Sequence, residues 1–291
     1  MTAALHLLTH TDLDGIGCAV LVSGSVEGPA SIEPVENGAI DGRVRALVQE
    51  ADPGAVRVLV TDHGVSEPTA ELVDAFVGAG GGFTLLDHHR SSRHLDGRTW
   101  ATVDERRSAT ALLFQHLGRP ARFEAFARLV EDHDLWRHAD PRSARLAGLL
   151  GLLGHERFVA RFSADPAVEF RDEEALLLDI EEGRRESYLR RKTDQAWVRE
   201  IGGHAWAVCY AEQYQSDLAE RLMSVFGVAG TALLNPGKRT VSLRGRGVDV
   251  SAIAQRWAGG GHARAAAFTF SGSALELSLQ AFEEAVSETL E

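Results

Sequence analysis

The chain has 291 residues, 44% hydrophobic and 25% charged, the balance of a folded globular protein with room for one large domain or two smaller ones. Thirty basic residues against 42 acidic ones give a net charge of −12, which argues against a protein that coats long nucleic acid through many phosphate contacts but leaves short anionic substrates open. There is no apolar run of membrane-spanning length and no leader-like basic flank or cleavage site, and two distant cysteines, Cys18 and Cys209, suit a reducing compartment, so a cytoplasmic protein without membrane contact is expected.

Residues 5–9 read as a first strand, followed by His10, Asp12 and Asp14, and residues 15–23 as a helix. A second strand over 56–61 ends at Asp62 and leads to a helix over 68–77; a third over 83–86 ends at Asp87-His88-His89. Strands separated by helical crossovers predict an α/β fold with a mostly parallel sheet and helices on both faces. Each strand is apolar until its end, as when both faces are covered. In such sheets ligands collect beyond the carboxyl ends of the strands. From 102 to about 151 the pattern is helical, with 109–117 and 123–130 the clearest segments and Asp132-His133-Asp134-Leu135-Trp136 after the second. The charge-dense stretch 169–199 predicts a long exposed helix connecting two domains. Beyond it, 204–210, 231–235, 240–244 and 265–270 read as strands of a smaller α/β domain, and 273–290 as a terminal helix.

Acid and imidazole therefore gather at successive strand ends: His10, Asp12, Asp14, Asp62, His88 and Asp132, with Asp87 and His89 adjacent. Oxygen and imidazole donors together suit Mn, Zn, Fe or Mg, and two such ions roughly 3.5–4 Å apart stabilise both attacking and leaving oxygens in phosphoryl transfer. Asp12 and Asp14, two apart after a strand, can point the same way while Leu13 anchors the turn. Gly15 lets backbone pass close to the ions. A carboxylate such as Asp62 can bridge a pair. Any one of these aspartates is as readily an N-cap, but capping does not account for the histidines.

Between residues 235 and 265, six basic residues (Lys238, Arg239, Arg244, Arg246, Arg256 and Arg264) stand against one acid, Asp249, a local charge of +5 that suits phosphate. Gly259-Gly260-Gly261 allows amides to approach an anion, and His262 adds a donor. A glycine turn and a solvated basic hairpin are the plainer explanations of each feature alone; a carboxylate-rich site elsewhere in the chain favours a phosphate clamp. Five tryptophans, Trp100, Trp136, Trp197, Trp206 and Trp257, could stack a base, although most tryptophans are core or interface residues.

The motifs His10-Thr11-Asp12-Leu13-Asp14-Gly15, Val60-Thr61-Asp62, Leu86-Asp87-His88-His89, Asp132-His133-Asp134-Leu135-Trp136 and Gly259-Gly260-Gly261-His262 resemble, in order, those of the DHH phosphoesterases with a DHH-associated C-terminal domain. The resemblance spans residues 10–262 and implies a manganese-dependent phosphoesterase. Its metal-binding DHH domain would cover 1–185, a helical linker 186–200 and a substrate-binding domain 201–291. By position, His10, Asp12 and Asp62 would hold one ion, and Asp14, Asp62, His88 and Asp132 the other, with Asp62 bridging and Mg2+ the alternative to Mn2+. Asp87 would orient a histidine, and His89 would contact the scissile phosphate or help the leaving group. Arg244, Gly259, Gly260, Gly261, His262 and Arg264 would hold substrate. The chain departs from the pattern in having only Thr11 between His10 and Asp12 where three residues are common, and Ala258 and Ala267 where glycine is common. The first motif and Asp134-Leu135-Trp136 look like the nanoRNase branch, oligoribonucleases that take short RNA to mononucleotides. Other readings are a cyclic or linear dinucleotide phosphodiesterase, a 3'-phosphoadenosine 5'-phosphate phosphatase, a pyrophosphatase and a non-catalytic nucleotide sensor. A homodimer is compatible with the sequence, which specifies no assembly.

Overall fold

The computed structural model describes residues 3–28, 30–36 and 38–270. The chain forms two compact units, Met1–Leu178 and Asp179–Glu291. In the first, β1 (Ala4–Thr9), β2 (Ala30–Pro34), β3 (Val56–Thr61), β4 (Gly82–Asp87) and β5 (Ala101–Val103) form one sheet in the order β2-β1-β3-β4-β5. All neighbouring strands are parallel. The helices of this unit are α1 (Leu13–Ser25), α2 (Ile40–Glu50), α3 (Glu67–Gly78), α4 (Ala109–His116), α5 (Glu124–Asp134) and α6 (Pro141–Ala164).

Strand side chains alternate between the two faces, and the apolar ones divide into two cores accordingly. Val58, Val60, Phe83 and Leu85 pack with α2 and α3, whereas Leu5, Leu7, Leu59 and Leu86 pack with α1, α4, α5 and α6. Helix cover on both faces is what strands apolar at nearly every position require. Helix α1 is buried continuously from Leu13 to Val22, so it is a central element of its layer. Its close packing depends on Gly17, where a Cβ would fall 2.4 Å from Thr110 Oγ1.

Helix α7 (Asp172–Asp194) runs from the first unit into the second, the division falling at Leu178 and not near 185. The helical linker anticipated over 186–200 ends early. Trp197, Val198 and Ile201 favour extended backbone and form β6 (Trp197–Ile201), paired with β7 (His204–Tyr210). The second unit continues with α8 (Gln215–Phe226), β8 (Gly230–Asn235), β9 (Thr240–Gly245), α9 (Val250–Gln255), β10 (Gly260–His262) and β11 (Ala265–Thr269). Among the described residues its strands number six, ordered β10-β11-β9-β8-β7-β6. Of these strands β7 and β8 pair in parallel, joined through α8, and the other described pairs are antiparallel. The terminal helix expected over 273–290 lies outside the described residues. Among the described residues, no helix is long and apolar enough to cross a membrane.

Candidate metal centre

The carboxyl ends of β1, β3 and β4 converge with the ends of α1 and α5. Asp12 is the N-cap of α1, and its Oδ1 accepts the N–H groups of Asp14 and Gly15 at 3.1 Å. The capping role expected of an ordinary aspartate is thus real. It occupies one oxygen only, since Oδ2 lies 2.9 Å from His10 Nδ1. Gly15 is required here because a Cβ would stand 2.2 Å from the His10 carbonyl oxygen. The Asp14 carboxylate is buried and accepts the N–H groups of Ala109 (2.6 Å) and Thr110 (2.9 Å), the first residues of α4, where a helix's positive pole favours an anion.

Asp62 follows β3 with φ +58°, a left-handed conformation that a non-glycine residue keeps only where its surroundings enforce it. Its amide donates to the Leu86 carbonyl, and its side chain is almost fully buried. The two carboxylate oxygens face different neighbours. Oδ2 is 3.6 Å from His10 Nδ1, and Oδ1 is 3.2 Å from His88 Nε2. His88 Nε2 is also 3.5 Å from Asp134 Oδ2 and 3.8 Å from Asp14 Oδ2. Three overlapping groups of ligand-type atoms result, His10–Asp12–Asp62, Asp14–His88–Asp134 and Asp62–Asp87–His88–His89; Asp62 belongs to the first and the third and reaches His88 of the second.

These atoms fit divalent cations. Donors about 2.1 Å from one ion stand roughly 3 to 3.5 Å from each other, close to the spacings around His88 and His10. His10 Nδ1, Asp62 Oδ2 and Asp134 Oδ2 are buried without hydrogen-bond partners, so they approach their neighbours without bonding to them. By themselves the side chains carry this concentration of charge only by holding protons. Burial, with Asp62 and Asp134 close by, pushes the Asp14 carboxyl well above the usual range, and burial takes Asp134 to about 6. The Asp62 carboxylate, outweighing burial, raises His10 to about 9; burial depresses His88, but Asp62, Asp134 and Asp14 outweigh it and leave it at about 9. Cations would supply this positive charge instead.

Asp132 is not in the cluster. Its carboxylate turns to the chain beyond α5, accepting the N–H groups of Ala139 (2.9 Å) and Asp140 (3.3 Å). Asp134, one of three residues in the same Asp132-His133-Asp134 motif, takes the position by His88 that was expected of Asp132. Asp87 is fully buried beside the cluster: Oδ1 accepts from the His88 amide and from His89 Nδ1, both at 2.8 Å, while Oδ2 accepts from Ser92. Asp87 thereby fixes the His89 ring, half of whose side chain remains exposed. His63 is buried against His10 with ring centroids 5.0 Å apart, its Nε2 bonded to the Val35 carbonyl. The Thr61 hydroxyl donates to Thr9, and Thr9 to the Gly15 carbonyl, tying β3, β1 and α1 together beneath the cluster.

In the second unit, Arg244 lies on β9 opposite Ala265 of β11. Its guanidinium donates to the Leu243 carbonyl and the Ser216 hydroxyl, and among the described residues no carboxylate pairs with it. Gly259 and Gly261 lie so near β11 that a Cβ would stand 2.2 Å from the Ala267 carbonyl oxygen and 2.4 Å from that of Ala265. Gly260 has open space around it, and His262 and Arg264 are exposed. Ala258, where the family commonly has glycine, adopts φ +54°.

Residues 212–288 match the DHHA1 domain. The chain is 32% identical to the oligoribonuclease NrnB of Bacillus subtilis (strain 168) over 296 residues, covering 94% of this chain and 74% of that protein. Among solved structures, the pGpG-specific phosphodiesterase PggH of Vibrio cholerae superposes with a TM-score of 0.59 at 12% identity, covering 99% of this chain and 98% of that one. RecJ of Thermus thermophilus in complex with Mn2+ gives 0.51 at 18% identity, covering 97% and 51%. The likeness to the solved structures is one of fold; the likeness to NrnB extends along 94% of the chain. The chain belongs to the DHH phosphoesterase family and carries its DHH-associated C-terminal domain.

Proposed function

We propose that the protein is a divalent-metal-dependent phosphodiesterase that hydrolyses short oligoribonucleotides to mononucleotides. The observation that carries this reading is the pair of side-chain groups sharing Asp62, whose oxygens lie 3.6 Å from His10 and 3.2 Å from His88. His10, Asp12 and Asp62 would hold one ion, and Asp14, Asp62, His88 and Asp134 the other, Mn2+ being the expected metal and Mg2+ the alternative. Bound there, two such ions polarise a phosphoryl oxygen and lower the pKa of a water, making it a nucleophile near neutral pH. The protein's part is placement. Asp12 and Asp14 are fixed by the amides of α1 and α4, so little reorganisation accompanies reaction. Asp87 accepts from His89 Nδ1–H and raises the pKa of the ring, so that the protonated imidazole would present Nε2–H to the scissile phosphate or its leaving oxygen. Arg244, with the turn Gly259-Gly260-Gly261, His262 and Arg264, would bind a substrate phosphate. The half-buried guanidinium, without a carboxylate partner among the described residues, supports that role.

Similarity to NrnB favours short RNA over the other phosphate esters that this chemistry accommodates. A panel with Mn2+ tests the choice: a 5'-phosphorylated diribonucleotide and pentaribonucleotide, a cyclic dinucleotide, 3'-phosphoadenosine 5'-phosphate and pyrophosphate. The linear ribonucleotides are expected to have the highest kcat/KM. A higher value for the cyclic dinucleotide, the bisphosphate or pyrophosphate would replace the substrate assignment.

A further inference from the structure

Trp136 is 72% exposed, more than any other large hydrophobic side chain among the described residues. It belongs to neither core of the first unit, so its indole does not serve packing. Yet its backbone is tightly specified. Trp136 and His138 have φ +55° and +47°, left-handed conformations that bulky residues avoid. The turn is closed by the Trp136 amide on the His133 carbonyl (3.0 Å) and the Arg137 amide on the Asp132 carbonyl (3.0 Å). Both Asp132 carboxylate oxygens hold its far side, through Ala139 and Asp140. Arg137 adds an ion pair with Glu131 (3.5 Å) and a bond to the Arg106 carbonyl (3.3 Å). The imidazole of His138 stands 4.4 Å from the indole at 78°, and that of His133 at 6.4 Å. A strained, heavily bonded turn thus presents an aromatic surface to solvent. Only Leu135 separates it in sequence from Asp134 beside His88, so their Cα atoms are at most about 7 Å apart.

We propose that Trp136 is a platform on which a nucleobase of the substrate stacks, and that Asp132 is the positioning residue that holds it. This rests on the reading of the substrate as a nucleotide. A π-face suits every base, so the platform binds a nucleoside beside the metal centre without selecting sequence. It also gives Asp132 a role that its position outside the cluster leaves open.

Kinetics of Trp136→Ala, Trp136→Phe and Asp132→Asn with Mn2+ test the proposal, using a diribonucleotide and its analogue lacking both bases. Trp136→Ala is expected to lower kcat/KM for the diribonucleotide about ten- to a hundredfold, chiefly through KM, and for the abasic analogue by less than about threefold. Trp136→Phe should recover most of the loss, and Asp132→Asn should raise KM in the same direction with its response to Mn2+ intact. Equal losses on both substrates, or an unchanged KM in Trp136→Ala, would overturn the platform. Should the wild type hydrolyse no dinucleotide, the proposed function fails separately, and fluorescence decides: AMP, unlike ribose 5-phosphate, is expected to quench the wild type more than Trp136→Phe, and equal quenching overturns the proposal.

Discussion

Asp132 and Asp134 lie in the last turn of α5, and at about 100° per residue their side chains leave the helix about 200° apart. Only one can face the cluster, and Asp134 does. Asp134→Asn is therefore expected to lower Mn2+-stimulated hydrolysis about a thousandfold, taking the metal's contribution as several kcal/mol at about 1.4 kcal/mol per tenfold in rate. Asp132→Asn should keep the Mn2+ response and lose about 1–3 kcal/mol of stability, because its amide nitrogen would face a backbone N–H that now has an acceptor. Metal titration of activity and urea denaturation of the two variants check this pair; the opposite ranking would return Asp132 to the ligand set. His10, Asp12, Asp14, Asp62 and His88 were legible in the sequence because each follows a strand of a parallel sheet, where the topology itself brings residues together. The choice within Asp132-His133-Asp134 was not, since it depends on helix phase where the helix ends. Nor was the bonding of Asp87 to His89 and Ser92, which requires the turn after β4 to fold back on the strand.

The entry to α1 places the first motif. Gly15→Ala would bring a methyl group against the His10 backbone, which has no flexible end to move, and is expected to cost at least about 1–3 kcal/mol while shifting His10 from its neighbours. Gly42 is exposed in α2 with open space where a Cβ would stand, so Gly42→Ala is expected to add about 0.4–1 kcal/mol by restricting the unfolded chain. Thermal unfolding of the two variants should move in opposite directions, and destabilisation by both would contradict the packing of α1. Strands β1, β3 and β4 were readable as apolar runs closed by polar residues. Strand β2 was not: Ala30-Ser31-Ile32-Glu33-Pro34 is an edge strand with mostly polar or small side chains, held by its backbone ladder to β1. Strand β6 was absorbed into the charge-dense stretch before it, because Arg199 and Glu200 continue the helical charge pattern while only the pairing with β7 makes them extended.

Over the whole molecule, a net charge of −12 includes the carboxylates of Asp12, Asp14, Asp62 and Asp134 in one cluster, contributed by α1, its N-cap, the residue after β3 and α5. Cations bound there would tie these elements together, and a ligand present at a hundred times its Kd stabilises the folded state by about 2.7 kcal/mol. Chelation is expected to lower Tm by about 5–10 °C, an effect that should largely disappear in Asp62→Asn; an unchanged Tm would speak against tight metal binding. The centre is tested most directly by initial rates on a 5'-phosphorylated diribonucleotide, measured on wild type and Asp62→Asn after removal of divalent cations and again after Mn2+ is restored. Hydrolysis absent without metal, regained with Mn2+ in the wild type and at least about a thousandfold slower in Asp62→Asn is the predicted result. Hydrolysis that survives chelation, or that Asp62→Asn supports with Mn2+ at close to the wild-type rate, would contradict it.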